Sequence, residues 1–299
     1  MGVSIYKIKK WYKMLVGKSI SHVNQGIGKN YSKTSVGGYY NDFTEKVTKD
    51  APEILVPMYY VDTGDRIFFS IGIFQYGLGS YDLYLQTKDD LYKKKFLACA
   101  DWAVQNQQDS GSWITFAYEN PEHPYSSMAQ GEATSLLIRC YIETKEQKYF
   151  EAAKKAIDFM LICIESGGTT KYEGEDIYLY EFTQKPIVLN GWIFSYWGLR
   201  EFSFFADEEK YLLLSKKVLT TMIKTLPKYD LGFWSRYDLT ERIASPFYHK
   251  LHIAQLQSMY DLTGDETFKF YADKFRKYQD NWFNRKRAFL EKAIQKIFE

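Results

Sequence analysis

Four stretches of the chain are apolar on nearly every helical face, and each is followed by a stretch whose apolar residues form a single stripe. The first kind covers Gln75–Gln86, Ala129–Glu143, Gly191–Phe205 and His252–Leu262, as in "IFQYGLGSYDLYL" and "GWIFSYWGLREFSFF". A helix that is apolar all round has to be covered on all sides. The second kind, such as "QKYFEAAKKAIDFMLI", reads as a surface helix with one face on a core. The junctions share one grammar in "LYLQTKDDLYKKKF", "CYIETKEQKYFEAA", "SFFADEEKYLLLSK" and "MYDLTGDETFKFYA". An apolar helix ends at Thr or Ala, an acidic turn follows, and a second helix begins with an aromatic residue. The anchors Thr87, Thr144, Ala206 and Thr263 stand 57, 62 and 57 residues apart, the period of a repeated supersecondary unit. The pattern predicts a mainly α protein: an α/α toroid, an incomplete barrel of about four helical hairpins with inner helices wrapped by outer ones.

In such a ring the starts of the inner helices gather at one end with the loops that precede them, and a cleft is expected there. Those loops, "NQQDSGSWITFAYENPEHPYSS", "ESGGTTKYEGEDIYLYEFTQKP" and "YDLGFWSRYDLTERIASP", are longer than structureless connections usually are. Small β-hairpins are expected inside them at "DIYLYEF" and "GFWSRYDL". Residues 25–70 read as a strand-containing lead-in. The expected division is therefore an N-terminal helix and lead-in over 1–70 and a toroid over 71–299.

Composition narrows the function. A net charge of +2 gives no general attraction to polyanions, so nucleic acid is not an expected partner. The aromatic share of 18%, with 26 Tyr, supplies an aromatic core and also surfaces that are half apolar and half hydrogen-bonding, as sugar rings are. Cys99, Cys140 and Cys163 stand in apolar helical patterns without metal-ligand spacing and read as buried hydrophobes of a reducing compartment. Neither a signal peptide nor a spanning segment is seen, so a cytoplasmic protein is expected. Residues 5–16 put Ile5, Ile8, Trp11, Tyr12 and Leu15 on one face among lysines, which suits either packing on the domain or peripheral contact with an anionic membrane.

The candidate chemistry lies in the loops. In "SPFYHKLHIAQL", Tyr248, His249 and His252 open a helix. Three-residue histidine spacing without an intervening Glu does not match the helical zinc motif, so no metal is expected, and no cofactor motif is present. A Ser-His-Asp nucleophile lacks its elbow motif. Glu132, Glu173, Glu175, Asp176, Glu181 and Asp238 leave a glycosidase pair open. Tyr172, Tyr178, Tyr180, Tyr229, Tyr237 and Tyr248 concentrate in the same loops. A tyrosine can act as a base near neutrality if a cation, such as Arg236 or Arg242, draws its pKa down.

Taken together, "YSSMAQGEATSLLIRCYIET", "VLNGWIFSYWGL", "LPKYDLGFWSRYDL", "YHKLHIAQL" and "FQYGLGSYDLYLQT" resemble, in order over roughly residues 70–270, the C-terminal catalytic domain of the D-glucuronyl C5-epimerases, which act on heparosan and heparan sulfate precursors. The resemblance implies an α/α barrel without a cofactor, a homodimer, and an acidic polysaccharide substrate of the glycosaminoglycan class. It implies an isomerase that inverts C5 of glucuronate to give iduronate, by proton transfer on two faces through a carboxylate-stabilised enolate. The implied catalytic tyrosines are Tyr237 of "YDL", Tyr248 before the "H-x-x-H" helix, and Tyr180, ten residues before Asn190. A gapped alignment puts Phe182 in place of Tyr180, with Glu181 as the acidic neighbour. Where arginine follows "YDL" in the animal enzymes this chain has Thr240, which leaves Arg236 or Arg242 to hold the carboxylate. His249, His252, Asn190, Gln130, Glu132, Gln75, Tyr76 and Trp113 are the implied substrate-binding residues. The alternatives are a uronate polysaccharide lyase of the same fold, which begins with the same proton abstraction, and a non-catalytic glycan-binding protein.

Overall fold

The computed structural model describes residues 23–61 and 64–298. The stretch 5–16, with its amphipathic reading, lies outside them. Eight helices form four consecutive hairpins: α2 (Ser70–Thr87) with α3 (Asp90–Asn106), α4 (Ser127–Thr144) with α5 (Gln147–Met160), α6 (Leu189–Ser203) with α7 (Glu209–Thr225), and α8 (Pro246–Thr263) with α9 (Glu266–Asp280). The even-numbered helices pack on one another in the order α2, α4, α6, α8, and each is covered by its odd-numbered partner. The architecture is an α/α toroid. A last helix, α10 (Trp282–Phe298), packs outside α8 and α9.

The repeated threonine has a local physical cause. Thr87, Thr144 and Thr263 donate from Oγ1 to the carbonyls of Leu83, Cys140 and Met259 four residues back. Each hydroxyl also accepts from the amide N–H two residues ahead, at Asp89, Glu146 and Asp265. One side chain thus satisfies an orphan carbonyl at the end of a helix and an amide at the start of the next turn. Asp89 and Asp265 then cap α3 and α9 by accepting from Leu91 and Thr267. The third junction has Ala206 instead, and α6 stops earlier, at Ser203.

The inner helices touch closely where glycine allows it. A Cβ on Gly131 of α4 would overlap the Phe194–Ser195 backbone of α6, and one on Gly198 would overlap the Gly131 backbone. The glycines of "AQGE" and "YWGL" are therefore required by the approach of two backbones.

The ring is filled and closed at one end by the lead-in. Strand structure there is slight: an isolated bridge between Ile27 and Asn41, and a hairpin of β1 (Tyr59–Tyr60) with β2 (Arg66–Ile67). The rest is held by the last two turns of the inner helices. Asp82 of α2 accepts from the Tyr39 amide at 2.9 Å. Arg139 of α4 donates to the Gly38 carbonyl at 3.0 Å and to both carboxylate oxygens of Glu201 of α6 at 2.8 Å. Ser258 of α8 donates to the Tyr40 carbonyl at 3.0 Å. Tyr39 stacks on Phe43 and meets Trp197 edge-on, inside the aromatic core. The short helix α1 (Thr44–Thr48) continues from this plug and packs on α2.

Within the second long loop, β3 (Thr170–Glu173) and β4 (Asp176–Leu179) form the expected hairpin. In the third, bridges join Asp230 to Ser235 and Arg236 to Ile243. Cys99 and Cys140 are buried. Cys163 corrects the sequence reading: it precedes a 3-10 turn, Ile164–Ser166, is only partly buried, and its thiol donates to Glu165. Among the described residues no helix is long and apolar enough to cross a membrane.

Candidate active site

The cleft lies at the other end of the ring, where the inner helices begin. A cavity of about 220 Å³ opens there. Its wall includes Glu181, Tyr237 and Tyr248; Gln75 and Asn190 come from the first two turns of α2 and α6, Tyr59 from β1, and Phe116 and Phe182 from loops.

Each reactive side chain is fixed by its backbone. The Tyr180 carbonyl accepts from Ser127 at the start of α4, and the Tyr180 amide donates to Thr169. These bonds dock the chain after β4 against the ring, and side-chain alternation then separates Tyr180 from Glu181. Glu181 faces the cavity, whereas Tyr180 does not line it and senses Lys171 and Glu173 of the hairpin. The Glu181 carboxylate rests on Gly191 of "VLNG", where a Cβ would overlap it. Tyr237 donates its amide to Arg242, and its carbonyl accepts from Leu189 at the start of α6. Ser245 caps α8 by accepting from Tyr248. The rings of Tyr237 and Tyr248 stand 4.8 Å apart between centroids.

Burial sets the protonation of this group. Glu181 is 7% exposed, and one of its oxygens is buried without a hydrogen-bond partner. Desolvation pushes its pKa up to about 8, against the pull of Lys185 and Arg242. Tyr237 stands well above its ordinary range because burial, with the nearby Glu181 charge, outweighs the Arg242 guanidinium 5.5 Å from its ring centroid. The expectation that an arginine draws this tyrosine down is therefore corrected: at neutral pH Tyr237 keeps its proton, and the carboxyl of Glu181 is the group poised to titrate.

Other residues of the sequence reading take different places. Glu132 of α4 is buried behind Gln75 of the cavity wall, accepts from it at 2.8 Å, and keeps its second oxygen without a partner. Arg236 donates to the Thr240 carbonyl, and Arg242 pairs with the buried Asp238 at 3.2 Å. Thr240 also bonds Asp238 through its amide at 3.0 Å. Gln130 is committed to the Gly111 and Ala156 carbonyls, Trp113 to Ala103, and Tyr76 to Ile54 and Lys95, all within the core. On the hairpin surface Glu173 pairs with Lys171, and Glu175 and Asp176 pair with Lys217 and Lys224 of α7.

The histidines lie behind the wall. His249 stacks on Trp234 at 3.6 Å and bonds the Phe275 carbonyl at 2.9 Å. Since a carbonyl only accepts, Nε2 carries the proton and Nδ1 accepts from the Ser235 amide. The Ser235 hydroxyl bridges His249 and His252 at 2.8 and 2.9 Å. Burial lowers both pKa values, His249 to about 3, so both rings are neutral. They fasten the turn that carries Tyr237 to the helix that carries Tyr248. Among the described residues no group of three or more His, Cys, Asp or Glu is placed to hold a metal ion.

Sequence reasoning missed Lys46. It is 6% exposed, lines the same cavity from α1, and is lowered to about 8 by burial against the opposing charge of Glu132. A five-residue helix in a mixed stretch gives no periodic signal by which to find it.

Residues 107–277 match the family model described as the D-glucuronyl C5-epimerase C-terminus. The chain is 28% identical over 209 residues to a D-glucuronyl C5-epimerase of Caenorhabditis elegans, covering 60% of this chain and 34% of that protein. It is 30% identical over 156 residues to an uncharacterized protein of Methanocaldococcus jannaschii, covering 50% of this chain and 51% of the other. It thus spans about a third and about half of these relatives. A solved α-1,6-mannanase of Salegentibacter sp. HEL1_6 aligns with a TM-score of 0.47 and 16% identity over 71% of this chain and 63% of that one.

Proposed function

Because the chain belongs to the family of the D-glucuronyl C5-epimerase C-terminus, we propose that it inverts C5 of D-glucuronate residues in a heparosan-like polysaccharide to L-iduronate. The observation that carries this reading is the meeting of Glu181, raised to about 8, with Tyr237 and Tyr248 in one cavity.

The C5–H bond is acidified only by the adjacent carboxylate. In the proposed reaction the Glu181 carboxylate takes the C5 proton, and the electron pair moves into the carboxylate to form an enolate. A tyrosine hydroxyl of the Tyr237–Tyr248 pair returns a proton to the opposite face of C5, and the tyrosinate regains its proton from solvent or from Glu181. Burial suits both roles. A carboxylate with a raised pKa is a stronger base than an exposed one, and a desolvated phenol holds its proton until negative charge develops nearby. The enolate carries one more negative charge than the substrate carboxylate, so cations and helix N-termini at this end of the ring favour the transition state over the ground state.

Tyr180 has no role in this reading, and His249 and His252 act by positioning. The test is to incubate the protein with heparosan in deuterated water. Deuterium at C5 together with iduronate signals in the NMR spectrum is expected. An unsaturated uronate absorbing in the ultraviolet would identify a lyase instead, and an unchanged polymer that still binds would identify a glycan-binding protein.

A further inference from the structure

We propose that the ammonium of Lys46, with the carboxyl of Glu132 beside it, is the cradle that receives the uronate carboxylate; this rests on the reading of the cleft as a uronate site.

Lys46 lies outside residues 107–277 and reaches the cleft on α1, which continues from the plug that closes the other end. Among the described residues it is the one basic side chain lining the cavity that holds Glu181, Tyr237 and Tyr248. The arginines of the third loop are engaged elsewhere, Arg236 on the Thr240 carbonyl and Arg242 on Asp238.

The chemistry around Lys46 suits an incoming anion. Glu132 is fully buried, and desolvation raises its pKa against the opposing effects of Gln75 and Lys46, with Glu181 adding to the rise. One Glu132 oxygen accepts from Gln75 while the other is buried without a partner. Lys46 lines the cavity and can meet a carboxylate directly, while Glu132 stands behind the wall, holding Gln75 of the lining in place and acting on Lys46 through its charge. A ligand carboxylate in the cavity gives the Lys46 ammonium an opposite charge on the side that faces the cavity. Charge added to that carboxylate during enolate formation then falls beside the ammonium. A purely structural Lys46–Glu132 pair would hold α1 in the ring and have no preference among ligands.

The test compares binding of a heparosan oligosaccharide with its carboxyl-reduced form, measured by calorimetry at neutral pH. Wild type is expected to prefer the carboxylated form by about tenfold or more, the scale of one charged hydrogen bond. Lys46→Met should lose that preference while binding the reduced form within about twofold of wild type, and Lys46→Arg should keep it. An unchanged preference in Lys46→Met, or none in wild type, overturns the proposal. Where Lys46→Met fails to fold, reductive methylation of wild type mapped by mass spectrometry replaces it: the carboxylated oligosaccharide should protect Lys46 more than the reduced one, and equal protection overturns the proposal. Neither readout needs turnover, so a wild type that binds with this preference and does not exchange C5 refutes the epimerase reading alone.

Discussion

At the closed end of the ring Arg139 meets Glu201 through two hydrogen bonds of 2.8 Å and the Gly38 carbonyl through a third. At the open end Glu181 and Glu132, also buried, each keep a carboxylate oxygen without a partner. Both ends bury charge within the same ring. The closed end pairs its two charges with each other, leaving only the Arg139 Nε–H of that pair unanswered, and ties the lead-in to the ring. At the open end neither carboxylate has an ion-pair partner among the described residues, and each leaves an acceptor unanswered near a cavity. Buried polar groups are normally satisfied, so an unsatisfied cluster beside a cavity marks where a ligand is to complete it.

The contrast can be broken from either side. Glu201→Ala leaves Arg139 buried without its partner and should cost about 3–5 kcal/mol, lowering the melting temperature by roughly 10 °C; calorimetry checks this, with turnover per folded molecule near normal below the transition. Glu181→Gln should do the reverse, slowing turnover by about 10³-fold while leaving the melting temperature unchanged or higher, because it removes a carboxylate that burial disfavours. Tyr237→Phe and Tyr248→Phe delete one hydroxyl each and keep the ring, so each should slow turnover by about 10²-fold with the circular dichroism spectrum unchanged.

The pH dependence sharpens the same comparison. Glu181 has a folded pKa near 8 against an ordinary 4.5, so the folded chain holds a proton that the unfolded chain releases. The associated stability is complete below 4.5 and falls as pH rises to about 8, where the folded carboxyl also ionises. Melting temperatures of wild type and Glu181→Gln should lie closest near pH 4.5 and separate as pH rises, with the variant increasingly the more stable. A base must be ionised, so kcat/KM should rise about tenfold per pH unit on approaching this pKa from below. The smallest effect is expected at Tyr180→Phe, within about twofold of wild type in a C5-exchange assay, because that side chain lies off the cavity.

The fold was legible because its signals are local. Thr87, Thr144 and Thr263 each close one helix and open the next turn with a single hydroxyl, and the all-round apolar pattern marks the helices that the ring encloses. The site was legible only in part. Tyr237 lies in a loop and Tyr248 in the first turn of α8, positions that follow from the hairpin order. The choice between Tyr180 and Glu181 depends on which face of a short extension meets the cavity, and a backbone bond to Ser127 decides that. His249 and His252 fit a chemical pattern in sequence, but their partners, Trp234, Ser235 and Phe275, come from elsewhere in the chain. Lys46 depends on a plug that crosses the ring, a tertiary event without periodicity of its own.

The most direct test of the account follows single C5 protons. Heparosan is incubated in deuterated water with Tyr248→Phe or Glu181→Gln, and NMR records C5 deuterium and iduronate separately. If Glu181 serves one face and the tyrosine pair the other, Tyr248→Phe exchanges the glucuronate C5 proton much faster than it forms iduronate, and Glu181→Gln exchanges almost none. Inversion by Tyr248→Phe at the wild-type rate, or wild-type exchange of glucuronate by Glu181→Gln, would contradict the two-face mechanism at this end of the ring.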